Sequence, residues 1–165
     1  MRYHNITIDD MNNGIGLRTV LWLSGCSHEC KGCQNPLTWN PDDGLIFDDA
    51  AKDELFGYLS KDYIDGLTLS GGDPLYEGNR AEVEALVRQI KNEMPDKSIW
   101  LYTGYDYEEI NEFKLLDYID VVVDGKYVEE LRDVTMHWAG STNQRVIDVK
   151  ASKKEGKTVL YEKDC

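Results

Sequence analysis

Leu67-Thr68-Leu69-Ser70-Gly71-Gly72-Asp73-Pro74 is the stretch on which the fold turns. A short, mainly apolar run ends abruptly in a glycine pair and an Asp-Pro turn, the pattern of a buried strand that stops at an open edge. A helix is expected next, over 79–94, where Val83, Leu86, Val87 and Ile90 fall at i, i+3, i+4 and i+7 and Pro95 ends the run. A second apolar run, 99–103, follows. Strand, turn, helix and strand make a βαβ unit, which implies a parallel sheet buried on both faces.

The same order recurs outward from this unit. Strands are expected at 20–24 and 121–124, and helices at 49–60, at 107–116 and briefly near 128–131. Asp48 and Asp49 place negative charge where the 49–60 helix dipole favours it. Residues 6–8, 146–149 and 158–161 are weaker candidates for additional or edge strands. Each of the four strong strands runs into a polar or glycine-rich turn: Ser24-Gly25-Cys26, Ser70-Gly71-Gly72-Asp73-Pro74, Thr103-Gly104-Tyr105 and Asp124-Gly125-Lys126. Ligands in parallel α/β folds bind at the carboxyl edge of the strands, so four such turns describe one site. Eight βα units need about 250 residues. The 165 residues here have room for an open, partial (β/α) barrel of mostly parallel strands, in a single domain spanning 1–165.

Composition narrows the function. A formal net charge of -13 opposes a direct grip on nucleic acid, whose phosphates demand Lys and Arg. Arg145, Lys150, Lys153, Lys154 and Lys157 gather late in the chain, but mixed with acids, and read as a solvated segment. The start, Met1-Arg2-Tyr3-His4-Asn5, lacks the apolar core of a secretory signal, and no apolar run is long enough for a bilayer. A cytoplasmic protein with reduced cysteines and no membrane partner is expected.

Cys26-x-x-x-Cys30-x-x-Cys33 crowds three thiols into eight residues. Thiolates are the usual ligands of iron–sulfur clusters, and a loop with three of them can wrap one face of a cubane. Zinc sites and ordinary clusters want four ligands, so a trio leaves one iron open for chemistry. A zinc knuckle would need His28 or Cys165 as its fourth ligand. His28 lies inside the loop, where its direction competes with the flanking cysteines, and the terminal Cys165 reads as incidental. Reducing conditions disfavour a disulfide. The paired glycines at 71 and 72 let a ligand approach the backbone, whose free N–H and C=O groups are ready partners.

A Cys-x3-Cys-x2-Cys loop after one strand and Gly-Gly-Asp-Pro after the next resemble the radical S-adenosylmethionine superfamily. That resemblance implies a [4Fe–4S] cluster on Cys26, Cys30 and Cys33, with S-adenosyl-L-methionine chelating the fourth iron. One-electron cleavage of the sulfonium would then yield a 5′-deoxyadenosyl radical. The chain as a whole is similar to one subfamily, the activating proteins of anaerobic (class III) ribonucleoside-triphosphate reductase. Asn13-Gly14-Ile15-Gly16-Leu17-Arg18, Ser24 to Asn35 with Trp39, Leu69 to Leu75, Trp100 to Tyr105, Val123 to Tyr127 and Trp138 to Arg145 carry the likeness. Gly32 stands where many superfamily members have an aromatic residue, and Gln34 where the subfamily often has Tyr. Adenine contacts must therefore come partly from elsewhere. Residues after 149 exceed the family's usual end and form a C-terminal extension.

The resemblance also distributes roles. Gly71 and Gly72 would offer backbone to the amino end of S-adenosylmethionine, and Gly32 and Gln34 would meet the nucleoside through their main chains. Asp124 and Lys126 would contact the ribose or the methionine carboxylate, or else form a surface ion pair; Thr103 has a similar pair of readings. Arg18 is open between the cofactor carboxylate, the partner and a salt bridge within the fold. His4 and His137 read as structural or exposed, Trp22 and Trp100 as core, Trp39 and Trp138 as loop residues. No second domain covers the site, yet a carbon radical must be shielded. The implied partner is therefore the reductase itself, presenting a backbone glycine Cα for hydrogen abstraction; the competing readings are an activase of another glycyl-radical enzyme and a non-catalytic metal-binding module. An external one-electron donor such as a flavodoxin would supply the electron.

Overall fold

The computed structural model describes residues 1–162, so Cys165 lies outside the described residues. In chain order the elements are β1 (Arg2–Asp10), β2 (Arg18–Leu23), β3 (Leu45–Ile46), α1 (Asp49–Leu59), β4 (Gly66–Gly71), α2 (Arg80–Glu93), β5 (Ser98–Tyr102), α3 (Tyr107–Ile110), β6 (Val121–Asp124), β7 (Arg145–Asp148) and α4 (Val149–Glu155). The strands form one open seven-stranded sheet in the order β3-β1-β2-β4-β5-β6-β7. Its four central strands are parallel, as the βαβ pattern implies. The flanks are antiparallel: β1 pairs with β2 and β3, and β7 with β6. The sheet is therefore mixed, with half of its strand pairings antiparallel, where mostly parallel strands were expected. Among the described residues no helix is long and apolar enough to cross a membrane.

Register and the period of two then decide the layers. Leu21 lies opposite Leu69, Leu69 opposite Leu101 and Leu101 opposite Val122, forming one row across the sheet. This row and its neighbours pack against Leu55 and Leu59 of α1, Val83, Leu86, Val87 and Ile90 of α2, and Tyr107 and Ile110 of α3. Each such fully buried aliphatic side chain contributes about 1.5–3 kcal/mol. The alternate row turns to the opposite face, where Trp100, Val121 and Val123 pack with Ile15, Trp138 and Tyr161. Both faces are covered, but helices take one and irregular chain the other.

Three segments differ from expectation. The 107–116 helix is interrupted: an Asp106–Glu109 capping box starts α3, which ends at Ile110, and a separate 3₁₀ turn covers Lys114–Asp117. The extended backbone of Phe113 (φ -69°, ψ 126°) re-aims the chain so that Leu115 and Leu116 are both buried, a tertiary gain that outweighs helical continuity. Residues 158–161 contribute a single bridge, Leu160 to Ile147, instead of a strand. The tail read as solvated does expose Lys150, Lys153, Lys154 and Lys157, but it also carries a helix the sequence did not announce, α4. Asp148 caps its start by accepting from Ala151 N at 2.8 Å, Val149 and Ser152 are buried, and Lys153 and Lys154 sit in its last turn.

Candidate functional site

The carboxyl ends of the parallel strands are stitched together by backbone hydrogen bonds. Gly72 N donates to Leu23 O (2.8 Å), Asp73 N to Gly25 O (2.7 Å) and Thr103 N to Val123 O (3.0 Å). The turn after β2 is held from beyond the cysteines, because Gly25 N reaches Thr38 O at 2.8 Å and Cys26 N reaches Trp39 O at 3.0 Å. Close approach is what the glycine pair permits. A Cβ at Gly71 (φ +102°) would stand 2.5 Å from Leu23 O, and one at Gly72 would stand 2.4 Å from Gly25 O. These glycines bring chain against chain.

The cysteine loop closes over this edge. Cys33 N donates to Cys30 O at 3.1 Å, and Lys31 pairs with Glu130 at 3.1 Å on the 3₁₀ turn Glu129–Leu131. All three cysteines are partly buried and face a cavity of about 580 Å³. Burial pushes the Cys26 and Cys30 thiols up; the N–H groups of His28 and Glu29 at Cys26, and of Tyr127 at Cys30, oppose that rise. Asn35 N donates to Cys33 Sγ at 3.4 Å. Each sulfur thus has a backbone donor at hand for its thiolate form.

The donor set suits a cluster. Among the described residues no three Cys, His, Asp or Glu side chains converge closely enough to hold a single metal ion. A cubane needs the opposite arrangement, with thiolates spread over separate irons. His28, the conceivable fourth ligand of a zinc knuckle, is committed elsewhere, its Nε2 lying 2.8 Å from Asp73 Oδ2.

The structure gathers most of the expected site residues and leaves others outside. Cys26, Cys30, Cys33, Gln34, Gly71, Gly72 and Thr103 all line the cavity. Gly32 is not among the lining residues; it is exposed and packs on the Glu129 side chain, which a Cβ at Gly32 would meet at 2.7 Å. The Asp124 carboxylate is buried away from the cavity, accepting from Arg145 Nη2 (2.5 Å) and Tyr107 N (2.8 Å). Lys126 is exposed, while its neighbours Gly125 and Tyr127 line the cavity. Arg18 belongs to the fold: fully buried, it donates to Thr68 Oγ1 (2.7 Å), Leu67 O (2.7 Å) and Ser98 O (3.0 Å) and lies over the Trp100 ring. Burial holds its guanidinium down to about 10.

Several cavity residues escaped the sequence. Trp22 was expected in the core. Instead it lines the cavity, with Nε1 donating to Thr7 Oγ1 at 3.0 Å. Its place one residue out of step with Leu21 and Leu23 could have revealed this, because alternate strand residues face opposite ways. Tyr102 follows the same rule. His137 and Trp138 also line the cavity; the likeness marked Trp138, but no periodic pattern placed either residue there. Trp138 adopts a left-handed backbone (φ 62°) and packs edge-on against Trp100 at 5.0 Å.

Comparison with known proteins gives the chain a family. A family profile described as a 4Fe-4S single cluster domain matches residues 12–147. An anaerobic ribonucleoside-triphosphate reductase-activating protein of Enterobacteria phage T4 is 48% identical over 146 residues, covering 88% of this chain and 93% of the relative. Proteins of the same description from Vibrio cholerae serotype O1 and Escherichia coli (strain K12) are 44% and 43% identical, covering 87% and 88% of this chain and 96% and 97% of theirs. The chain belongs to the family of anaerobic ribonucleoside-triphosphate reductase-activating proteins. The matched region, described as a 4Fe-4S single cluster domain, contains every cavity-lining residue named above.

Proposed function

We propose that this chain is an activating enzyme that binds S-adenosylmethionine at a [4Fe–4S] cluster held by Cys26, Cys30 and Cys33, and installs a glycyl radical on anaerobic ribonucleoside-triphosphate reductase. The observation that carries the reading is the trio of partly buried thiols facing one cavity at the carboxyl edge of the parallel strands. When bound, the cluster and the sulfonium together supply reductive carbon–sulfur cleavage and a hydrogen-abstracting carbon radical. The chain's own residues bind, orient and shield. Gly71 and Gly72 offer backbone groups to the methionine amino end, and Thr103 lies beside them. Gln34 and the walls of Trp22, Tyr102 and Tyr127 surround the nucleoside and exclude water. Asp124 and Lys126 act at one remove, through the chain that carries Gly125 and Tyr127.

We read the open sheet as a partial barrel, with helices outside and the Trp22–Ser70–Tyr102 face inside. Its open side is where the reductase covers the site and presents its glycine. An external one-electron donor such as a flavodoxin completes the scheme.

Anaerobic reconstitution with iron and sulfide, followed by reductant and S-adenosylmethionine, tests this directly. The wild type should release 5′-deoxyadenosine and, with the reductase added, give the glycyl doublet in the EPR spectrum; Cys30→Ala should give neither. Equal 5′-deoxyadenosine from both proteins would remove the cysteines from the mechanism, and cleavage without the doublet would remove the reductase.

A further inference from the structure

His28 lies between two of the three cysteines, and its ring is bound to Asp73. The side chain is 7% exposed, and Nε2 sits 2.8 Å from Asp73 Oδ2. Asp73 is itself buried and accepts from Thr103 Oγ1 (3.0 and 2.9 Å), Gly104 N (3.0 Å) and Leu75 N (2.8 Å). A carboxylate only accepts, so Nε2 carries the hydrogen. The cysteine loop, the turn after β4 and the end of β5 therefore meet at one carboxylate.

The fold leaves room for this ring. Gly104 lacks a positive φ, but a Cβ there would stand 2.4 Å from His28 Cδ2. Tyr105 closes the other side edge-on, at 4.6 Å between ring centres. The backbone N–H of the same histidine faces the Cys26 thiol. Its ring is anchored, and it stands two residues from both Cys26 and Cys30.

We propose that His28 is a positioning residue: by anchoring to Asp73 it fixes the backbone N–H that faces Cys26, and so tunes the metal centre held there. The inference rests on the cysteines being the cluster ligands. Hydrogen bonds to ligand sulfurs help set the reduction potential of iron–sulfur centres, raising it because they stabilise the more electron-rich form. Freeing the peptide makes the centre harder to reduce.

The experiment compares reconstituted wild type with His28→Ala, His28→Gln and Gly104→Ala by iron and sulfide content, EPR-monitored redox titration and the rate of S-adenosylmethionine cleavage. His28→Ala should retain iron and sulfide, shift its midpoint to more negative potential and cleave roughly 10-fold more slowly, the scale expected for partners of metal ligands. Gly104→Ala, which displaces the ring without changing its chemistry, should do the same. His28→Gln, whose amide nitrogen can replace Nε2 as donor, should restore the wild-type midpoint. An unshifted midpoint in His28→Ala overturns the proposal, as does an equal shift in His28→Gln. Should His28→Ala fail to fold, the Gly104→Ala and His28→Gln midpoints decide by the same criteria. Wild type that holds neither iron nor sulfide would instead defeat the cluster reading.

Discussion

Arg18 illustrates what a single buried residue can bind together. Its guanidinium joins β2 to β4 and β5 through Thr68, Leu67 and Ser98, and Gly14 lies so close that a Cβ there would stand 2.6 Å from Arg18 Cδ. Arg18→Leu would leave buried carbonyls without donors, and a loss of about 3–5 kcal/mol is expected. Arg18→Lys should recover little, since one ammonium cannot reproduce the planar fork. Urea unfolding at constant ionic strength checks both. The glycine pair gives the second prediction at this scale. Gly72→Ala must move backbone at Gly25 and Thr38, so it should lower cluster loading along with stability. Loading at the wild-type level would show that the turn can relax. The three cysteines and the glycines were legible in the sequence because their spacing is local. Arg18 was not, because its partners lie about fifty and eighty residues away.

The elements differ in how far local signals carried them. The amphipathic period of 79–94 placed α2 to within a residue at each end, and the acidic pair Asp48 and Asp49 did the same for α1, where Asp48 proves to be the cap. α3 broke where packing of Leu115 and Leu116 outweighed propensity. The chain beyond β7 is held by α4 and by a shared acid, Glu108, which accepts from Arg145 Nη2 (2.7 Å) and Thr158 Oγ1 (2.6 Å). Arg145 first, then Thr158, holds this carboxyl down at about 2 from its ordinary 4.5. A depressed carboxyl stabilises the fold above its ordinary value and loses that contribution as pH falls from 4.5 toward 2. Acid denaturation should therefore steepen in that window, and Glu108→Gln should flatten the limb. An unchanged limb would mean that the ion pair adds nothing to folding. Asp148→Ala should cost about 1 kcal/mol by uncapping α4, read as a lower thermal midpoint.

At the scale of the whole molecule, the cavity mouth combines a reactive interior with an apolar rim. Met11, Leu37 and Val134 are 72%, 76% and 80% exposed, on the three segments that also supply Asn13, Asn35 and Met136 to the cavity wall. Large exposed apolar side chains grouped around a site mark a protein interface. Leu37→Asp and Val134→Asp should leave S-adenosylmethionine cleavage by the free enzyme unchanged while reducing glycyl-radical yield on the reductase. A proportional fall in both activities would place these residues in cofactor binding instead.

Residue order alone determined the cysteine spacing, the strand-to-turn edges and the two long helices, because each depends on interactions within a few residues or one repeat of the chain. Only the tertiary structure decided that Asp124 turns to Arg145, that Arg18 reaches Thr68 and Ser98, and that His28 answers to Asp73. Those outcomes depend on register between strands and on which polar group finds a partner when buried. Contacts of that kind span tens of residues and leave no periodic trace in the sequence.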